Sequence, residues 1–576
     1  MNSVLLLFIT MGLFILGYRF YAKKIASIWQ IDVNRPTPAV SQFDGVDYVP
    51  ARNWFMLFGH HFASIAGAGP IIGPVMAVML WGWLPALLWI VLGSIFIGGI
   101  HDFGALMLSI REDGTSIGDI ASSVISKRAK LIFSIFVWLA LLLVIAVFAY
   151  LAGKTFMEQP KIVIPSLGLI PLAVIVGIGL YKLKWPPGIV TVCGLCVLTW
   201  LLFLGEQCPV TLGAHGLTQW ILLLLGYCFV ASVLPVQILL QPRDYLSSYL
   251  LAGGILLAVA GILVSHPVMS SPAFISTSSP VGLLWPMMFI TVACGANSGF
   301  HSLIASGTTS KQLPNERHAR RIGFGGMLME GFLAVIVVIL VTSGFSPGEF
   351  QNHIAAKIDP VNLYGLAFGN VTAPLTGAWG TFFALTVLNA FILTTLDSAA
   401  RITRYITAEL FGIKNRYLAT LIVVILAGIL ALGKDSSQNP LWQKIWPAFG
   451  ASNQLVAALA LLVISSWPLS KNRPTAYSLI PALFMLTTSI TALIFQIIHY
   501  LAVRDYVLTL ISVTLIIAAV FLSSEVFLMF RKTHHSKSFF NFKRGVRWQN
   551  RLLFRNSEAH PSPILTTLKP WPNGSS

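Results

Sequence analysis

Several titratable side chains lie inside long apolar segments of this sequence, where a charged group is costly. A charge at mid-membrane costs about 2.5–3.5 kcal/mol on insertion scales, so it usually faces a cavity or a partner. Imidazole changes its charge near neutral pH, and burial disfavours the charged form of a carboxyl group, so both groups can carry protons. We therefore take His61, Asp102, Glu330 and Asp397 as candidate residues for a coupling ion.

Ordinary structural roles compete with this interpretation. Interhelical hydrogen bonding explains any single one of these side chains equally well. Asp397 lies four residues before Arg401, which is the spacing of a helical ion pair at a membrane edge. Glu330 follows a loop that is rich in arginine, and it could pair with those arginines in the same way.

Two apolar segments carry helix-breaking residues near their middle. Residues 54–80 contain Gly67-Ala-Gly-Pro70, and proline removes a backbone donor and clashes with the preceding helical turn. Residues 282–306 contain Cys294-Gly-Ala-Asn-Ser-Gly299. A broken helix offers free N–H groups to an anion and free carbonyl groups to a cation. The predicted substrate-binding residues are Gly67, Ala68, Gly69, Pro70, Asn297, Ser298, Gly299 and His301.

The two broken segments are predicted to cross the membrane in opposite directions. Paired, oppositely directed, Gly/Pro-interrupted helices are typical of inverted-repeat transporters that bind substrate at the breaks. The alternative is a pair of close-packing helix seams, since Gly69 and Gly73, like Gly295 and Gly299, have the spacing of such seams. The presence of two antiparallel breaks favours a binding site.

The elements that must position these residues are membrane helices. Of 576 residues, 56% are hydrophobic and 10% are charged, against about 25% charged in soluble domains, so the chain is neither soluble nor disordered. A spanning helix needs about 20 mostly apolar residues. The fifteen predicted spans are 3–18, 54–80, 83–109, 131–153, 162–180, 187–204, 217–240, 248–265, 282–306, 322–345, 376–400, 417–433, 446–466, 477–499 and 506–530.

The basic residues predict the orientation of the chain. If the N-terminus is outside and the spans alternate, the outer loops hold six of the 37 Lys and Arg residues, and the inner segments hold the other 31. This bias explains the net charge of +17 without a nucleic-acid partner. We predict a multi-pass protein of the bacterial inner membrane, with a periplasmic N-terminus and a cytoplasmic C-terminus.

Four segments are predicted along the chain: an N-terminal helix and cytoplasmic loop (1–53), a core (54–466), a C-terminal helix pair (467–530) and a basic cytoplasmic tail (531–576). We expect the tail to be solvated, with contact to anionic lipid as the alternative. The sequence has neither a Gly-x-x-x-x-Gly-Lys-Ser/Thr loop nor a His-Glu-x-x-His motif, so we expect no ATP hydrolysis, no zinc site and no cofactor.

Long blocks of the sequence resemble the carbon starvation protein A (CstA) family of membrane transporters. Together they span about residues 35–460, which is most of the chain. The blocks are 44–50, 58–62, 65–70, 101–103, 111–114, 242–245, 293–302, 306–309, 396–398 with Arg401, 404–405, and 446–454.

The resemblance implies an all-α polytopic fold similar to the LeuT-like transporters, with 54–80 and 282–306 as the two discontinuous helices of an inverted-repeat core, plus extra helices. It implies uptake of peptides, or in a close branch pyruvate, when carbon is short. By the same analogy, span 376–400 lines a cation site beside the first break, to which three hydroxyl groups could contribute oxygens: Thr394, Thr395 and Ser398.

We therefore expect a secondary transporter that imports peptides across the inner membrane with protons, and a symporter of pyruvate and a cation is the alternative. The expected partners are this small substrate, a proton or sodium ion, and the lipid bilayer; protein partners stay open. The rival hypotheses are a membrane-embedded enzyme and a nutrient receptor that signals starvation without transport. An open channel is disfavoured because two broken helices indicate an occluding site.

Overall fold

The computed structural model describes residues 2–45, 47–124, 127–213, 215–433 and 441–535, and these are almost wholly helical. The described residues up to Val526 form one compact unit, and those from Phe527 to His535 belong to a second. Two short strands, β1 (Ser278–Ser279) and β2 (Gly282–Leu283), pair antiparallel. The predicted segment boundaries at 53, 466 and 530 stay predictions, and residues 536–576 of the predicted tail lie outside the described part.

The first half of the chain forms helices that are mostly long and apolar. Their bounds are α1 Ser3–Leu16, α2 Ala22–Trp29, α3 Pro38–Ser41, α4 Trp54–Ile65, α5 Gly69–Trp81, α6 Trp83–Gly93, α7 Gly99–Arg111, α8 Ile117–Val124, α9 Lys127–Glu158, α10 Val163–Gly177, α11 Pro187–Gln207, α12 Gly216–Val233 and α13 Leu240–Ser265. Short π-helical turns extend several of them: Gly17–Tyr21, Ser94–Gly98 and Ile178–Lys182.

The second half begins with short helical pieces and then returns to long helices. Their bounds are α14 Phe289–Thr291, α15 Ala293–Ala296, α16 Gly299–Ile304, α17 Gly325–Ser343, α18 Pro347–Ala355, α19 Pro360–Thr376, α20 Trp379–Leu410, α21 Arg416–Leu432, α22 Leu441–Ser470, α23 Ala476–Ala502 and α24 Tyr506–His535. π-Helical turns flank these pieces at Leu284–Met288, Ala305–Thr309 and Arg320–Phe324.

Twelve helical segments of the described residues are long and apolar enough to cross a membrane, and the bent pair α4–α5 makes a thirteenth. Two predicted spans fall outside that number. Predicted span 417–433 coincides with α21, which has only 17 residues, and predicted span 282–306 is a run of short helices. The prediction of a polytopic, all-α membrane protein is confirmed, whereas the number fifteen is not.

The first broken segment follows its sequence closely. Helix α4 ends at Ile65 and α5 begins at Gly69, and the two are bent by 43°. Pro70 lies in the first turn of α5, where backbone N–H groups have no hydrogen-bond partner within the helix. The missing N–H of proline therefore removes no helical hydrogen bond at the start of the second half-helix.

The second broken segment has a two-residue extended link. Asn297 (φ −173°, ψ 116°) and Ser298 (φ −120°, ψ 130°) separate α15 from α16. The break therefore falls inside the predicted Cys294–Gly299 stretch, although no proline marks it.

One predicted loop is a helix. The sequence places residues 241–247 between two spans, but α13 already begins at Leu240 and carries Arg243 and Asp244 in its first turns. Both charged side chains are about 1% exposed. The charges of both side chains are satisfied inside the protein by partners that lie far away in the sequence.

Candidate functional site

The two breaks pack directly against each other. A Cβ atom on Gly69 would lie 2.4 Å from Cβ of Cys294, and a Cβ atom on Gly295 would lie 3.6 Å from Cα of Pro70. Only glycine at position 69 allows this approach. The small-residue spacing thus does bring helices close together, and it does so at the point where both helices are interrupted.

Asn453, on α22, holds the second break in its extended form. Its side-chain oxygen accepts a hydrogen bond from the backbone N–H of Phe300 (3.0 Å), and its amide group donates to the hydroxyl of Ser298 (3.0 Å). The Phe300 N–H would otherwise be an unpaired donor at the start of a half-helix. Both side-chain polar atoms of Asn297 are buried without a partner among the described residues.

A buried chain of four titratable groups begins at this break. Nδ1 of His301 lies 2.9 Å from Oδ2 of Asp102, and Nε2 of His301 lies 3.1 Å from Oε2 of Glu330. The second oxygen of Asp102 accepts from Nδ1 of His101 at 2.8 Å. All four side chains are at most 1% exposed. The structural alternative for Glu330, pairing with loop arginines, is therefore wrong, because its neighbour is the imidazole of His301.

His61 lies against the helix that carries Glu330. Its Nδ1 is hydrogen-bonded to the hydroxyl of Thr309 at 2.9 Å, and its Nε2 is buried without a partner in the described part of the chain. A Cβ atom on Gly326 would lie 2.9 Å from Cδ2 of His61. Since Gly326 and Glu330 are four residues apart on α17, they share a helix face, and His61 borders the same region.

The hydroxyl residues of α20 lie beside the first break. A Cβ atom on Gly67 would be 2.6 Å from Oγ1 of Thr395. The Thr394 hydroxyl donates to the carbonyl of Ala63 at 2.9 Å. Oγ1 of Thr395 and Oγ of Ser398 are buried, and neither has a hydrogen-bond partner within the described ranges. Thr394 and Thr395 therefore lie beside the first broken helix, and a cation site there stays a prediction.

Asp397 pairs with a residue that sequence reasoning missed. Its Oδ2 contacts Nη1 of Arg243 and accepts from the hydroxyl of Tyr227 at 2.6 Å. Arg401 instead donates to the carbonyls of Ala231 and Leu234. The structural alternative for Asp397, a helical pair with Arg401, is therefore wrong, since Arg243 pairs with the carboxylate.

The network around Arg243 continues to the first broken helix. Its neighbour Asp244 accepts from Nδ1 of His60 at 2.7 Å and from the Ser64 hydroxyl at 3.3 Å. Nε2 of His60 lies 3.1 Å from Nε2 of Gln312. The block 242–245 was visible in the sequence as part of the family resemblance, but nothing local indicated that its charges face the first break.

All eight predicted substrate-binding residues are buried. Neither break is therefore exposed at the surface of the protein. Among the described residues, no group of three or more His, Cys, Asp or Glu side chains could hold a metal ion.

Comparison with known proteins places this architecture in a family. The model of the family described as "Carbon starvation protein CstA" matches residues 2–362 and 350–492. This chain belongs to the CstA family. The resemblance to this family that the sequence blocks indicate is confirmed over most of the chain.

Curated relatives cover most of both sequences. The peptide transporter CstA of Escherichia coli K12 is 34% identical, over 85% of this chain and 80% of its own length. The peptide transporter CstA of Bacillus subtilis is 30% identical, over 85% and 89%. The pyruvate/proton symporter BtsT of E. coli K12 is 32% identical, over 84% and 80%. All three are named as transporters.

Solved structures show the fold. A mutant of the Eremococcus coleocola manganese transporter superposes with a TM-score of 0.53, covering 85% of this chain and 99% of that one, at 12% sequence identity. This likeness confirms the predicted LeuT-like core, and the manganese in its name concerns that protein alone.

Proposed function

We propose that this protein is a proton-coupled secondary transporter that imports peptides, with the substrate held at the two helix breaks. The observation that carries the proposal is the buried chain Glu330–His301–Asp102–His101. In this chain, His301 of the second break contacts Asp102 of α7 on one side and Glu330 of α17 on the other. A proton that arrives on this chain changes the charge beside the predicted substrate site.

Coupling requires that substrate and proton favour the same conformation. A ligand shifts an equilibrium only by its differential affinity for the two states. His301 belongs to the second break and also contacts Asp102 and Glu330, so movement of the half-helix α16 would change both ion-pair distances. One side chain thus links substrate binding to protonation.

The environment of Asp397 favours protons over sodium as the coupling ion. A sodium site needs oxygen ligands that are free of other cations. Asp397 already contacts the guanidinium group of Arg243, whose positive charge opposes a second cation at the same oxygen. Thr395 and Ser398 supply hydroxyl groups near Gly67, but the only carboxylate proposed for that site is occupied.

The curated relatives favour a peptide as substrate and supply the second candidate. The relatives in Escherichia coli and Bacillus subtilis that are named as peptide transporters support peptide uptake. The similarly distant pyruvate/proton symporter supports a small carboxylate instead. The bacterial inner membrane and a cytoplasmic C-terminus are part of this proposal, supported by the 31 basic residues that fall on one predicted side.

The test is uptake by the purified protein in liposomes. Radiolabelled dialanine and pyruvate are compared under an inward proton gradient, an inward sodium gradient and no gradient. We expect proton-driven accumulation of dialanine. Accumulation of pyruvate alone would replace peptide by the second candidate, and accumulation driven only by sodium would contradict proton coupling.

A further inference from the structure

The connection between α2 and the first broken helix forms a strap across one end of the helices. It consists of residues 30–53, of which all but residue 46 are described, and apart from the short helix α3 it has no regular helix or strand. The backbone groups of a surface connection are usually left to water. Those of the strap are instead hydrogen-bonded to parts of the chain that are distant in sequence.

The first anchor of the strap is the turn that follows the second broken helix, residues 311–316. The backbone N–H of Val49 donates to the carbonyl of Lys311 at 3.1 Å, and the N–H of Ala51 donates to the carbonyl of Gln312 at 2.9 Å. These bonds join the chain that enters the first broken helix to the chain that leaves the second.

The second anchor is the end of α7, the helix that carries Asp102. The Glu316 carboxylate contacts Nη1 of Arg111 at 2.6 Å and accepts from the backbone N–H of Asp32 at 2.9 Å. Nη2 of Arg111 donates to the carbonyl of Gln30 at 2.9 Å. The side chains of Arg111 and Glu316 are 6% and 0% exposed, so this anchor is a buried ion pair.

The third contact is with α20, and it is made by Asp47. Oδ1 of Asp47 accepts from the hydroxyl of Tyr405 at 2.5 Å and lies 3.5 Å from Nη1 of Arg401. Among the described residues, no other carboxylate oxygen lies within 4 Å of the Arg401 side chain. Asp397 is four residues before Arg401, which is about 6 Å along the helix axis. The contact therefore lies one turn from a buried carboxylate beside the first break.

A tight turn holds Asp47 in this position. Oδ1 of Asp44 accepts from the backbone N–H groups of Asp47 and Tyr48, both at 2.9 Å. Gly45 has a φ of +71°, which glycine adopts without strain. Nε2 of Gln237, from the link between α12 and α13, donates to the carbonyl of Gly45 at 2.8 Å. The shape of the turn therefore fixes the Asp47 carboxylate against α20.

The anchors differ in their access to water. A buried ion pair such as Arg111–Glu316 is costly to break, because separation leaves charges in the interior without a partner. The side chain of Asp47 is 26% exposed, whereas that of Arg401 is 2% exposed. Water can replace the partners of the half-exposed carboxylate when it moves away. The contact of Asp47 is therefore the releasable one, and the Arg111–Glu316 pair is the fixed one.

We propose that the strap closes the end of the substrate site at which α4 begins, and that the contacts of Asp47 with Arg401 and Tyr405 hold it shut. The strap continues directly into α4, so movement of this half-helix away from α20 pulls Asp47 from its partners. The inference rests on the proposed function only in taking the two breaks as the substrate site. In the proposed orientation, the closed end is cytoplasmic.

Cys294 provides a native reporter of opening, because it lies where the two breaks pack against each other. The full-length protein in detergent is treated with N-ethylmaleimide, and alkylation of each cysteine is followed by mass spectrometry. Asp47→Asn keeps the shape of the side chain but removes the charge beside Arg401, and we expect Cys294 to react at least threefold faster. Tyr405→Phe loses only the hydrogen bond, and we expect an acceleration between 1.5-fold and threefold.

Two controls separate opening at this end from loss of the fold. Asp32→Asn changes an exposed carboxylate of the same strap that accepts from the backbone N–H of Asn34 within it, and it should leave the rate unchanged. Cys228 is fully buried in α12 and should stay unreacted in every variant. An unchanged rate at Cys294 in Asp47→Asn, or equal acceleration at Cys294 and Cys228, would overturn the proposal.

Membrane vesicles of the two orientations test which end opens. A membrane-impermeant thiol reagent should reach Cys294 of Asp47→Asn faster only from the side at which Asp32→Cys, an exposed position of the strap, also reacts. Acceleration from the opposite side alone would overturn the proposal. Faster reaction of Cys294 from the strap side, without any uptake by the unmodified protein, would uphold the strap and contradict only the proposed function.

Discussion

Nδ1 of His301 lies 2.9 Å from Oδ2 of Asp102, although the two residues are 199 positions apart in the sequence. His301 is in the second broken helix and Asp102 is in α7. The opposite nitrogen of the same imidazole lies 3.1 Å from Glu330. This imidazole lies between two carboxylates and belongs to a helix break. Movement of the half-helix therefore changes the charges around the imidazole, so proton binding and helix movement depend on each other.

Asp102→Asn should uncouple uptake from the proton gradient. The amide keeps the shape of the carboxylate and can still accept from His101, but it holds no negative charge for a proton to neutralise. We expect proton-driven accumulation in proteoliposomes to fall at least twentyfold while substrate counterflow continues. Glu349→Gln, at an exposed helix cap, is the control and should behave as the unmodified protein. If proton-driven accumulation and substrate counterflow both continue in Asp102→Asn, Asp102 is not the coupling residue.

Gly69→Leu should abolish transport. A side chain at this position would collide with Cys294, because even a Cβ atom would lie 2.4 Å from it. The two breaks would be forced apart, and we expect initial uptake rates to fall at least twentyfold. Gly226→Leu is the matched control, since a Cβ atom there meets nothing within 4 Å on an exposed face of α12. Normal uptake by Gly69→Leu would argue against a substrate site where the two breaks pack against each other.

Arg243→Met should destabilise the fold. It leaves the Asp397 carboxylate buried without its cation, and loss of one member of a buried pair costs about 3–5 kcal/mol. We expect a clearly lower melting temperature in detergent. The double variant Arg243→Met with Asp397→Leu removes both charges and should recover most of that loss. If the double variant is no more stable than Arg243→Met alone, the unpaired charge of Asp397 is not the cause of the lost stability.

Asn453→Ala should loosen the second break. The backbone N–H of Phe300 loses its acceptor, and loss of a comparable helix cap costs about 1 kcal/mol. Because α16 carries His301, we expect a higher KM for the transported substrate along with a small drop in melting temperature. Asn352→Ala, at an exposed position of α18, should change neither quantity. A lower melting temperature with an unchanged KM would limit Asn453 to a structural role.

The sequence predicts those features of this fold that have local causes. Apolar runs predict the long helices, and Pro70 with its neighbouring glycines predicts the first break almost to the residue. The Cys294–Gly299 stretch predicts the second break, and the structure places it at the two residues Asn297 and Ser298. The number of spans could not be fixed, since a broken helix and the short helix α21 fall below the length of a regular span.

Pairings between distant segments could not be predicted in the same way. Asp397 has Arg401 one helical turn away, yet it contacts Arg243, which is 154 positions distant. A local spacing rule favours the near arginine, whereas the packing of α12 and α13 against α20 brings the far one to the carboxylate. Asn453 was likewise visible only as part of a family block, because its role depends on where α22 meets the second break.

The most direct test of the central claim is proton movement driven by the substrate. Proteoliposomes that enclose a pH-sensitive dye are diluted into dialanine without any imposed proton gradient, with the membrane potential clamped at zero. We predict acidification of the interior at a rate proportional to dialanine uptake, and none with Asp102→Asn. Dialanine uptake without any change in internal pH would contradict proton coupling through the His301–Asp102 pair.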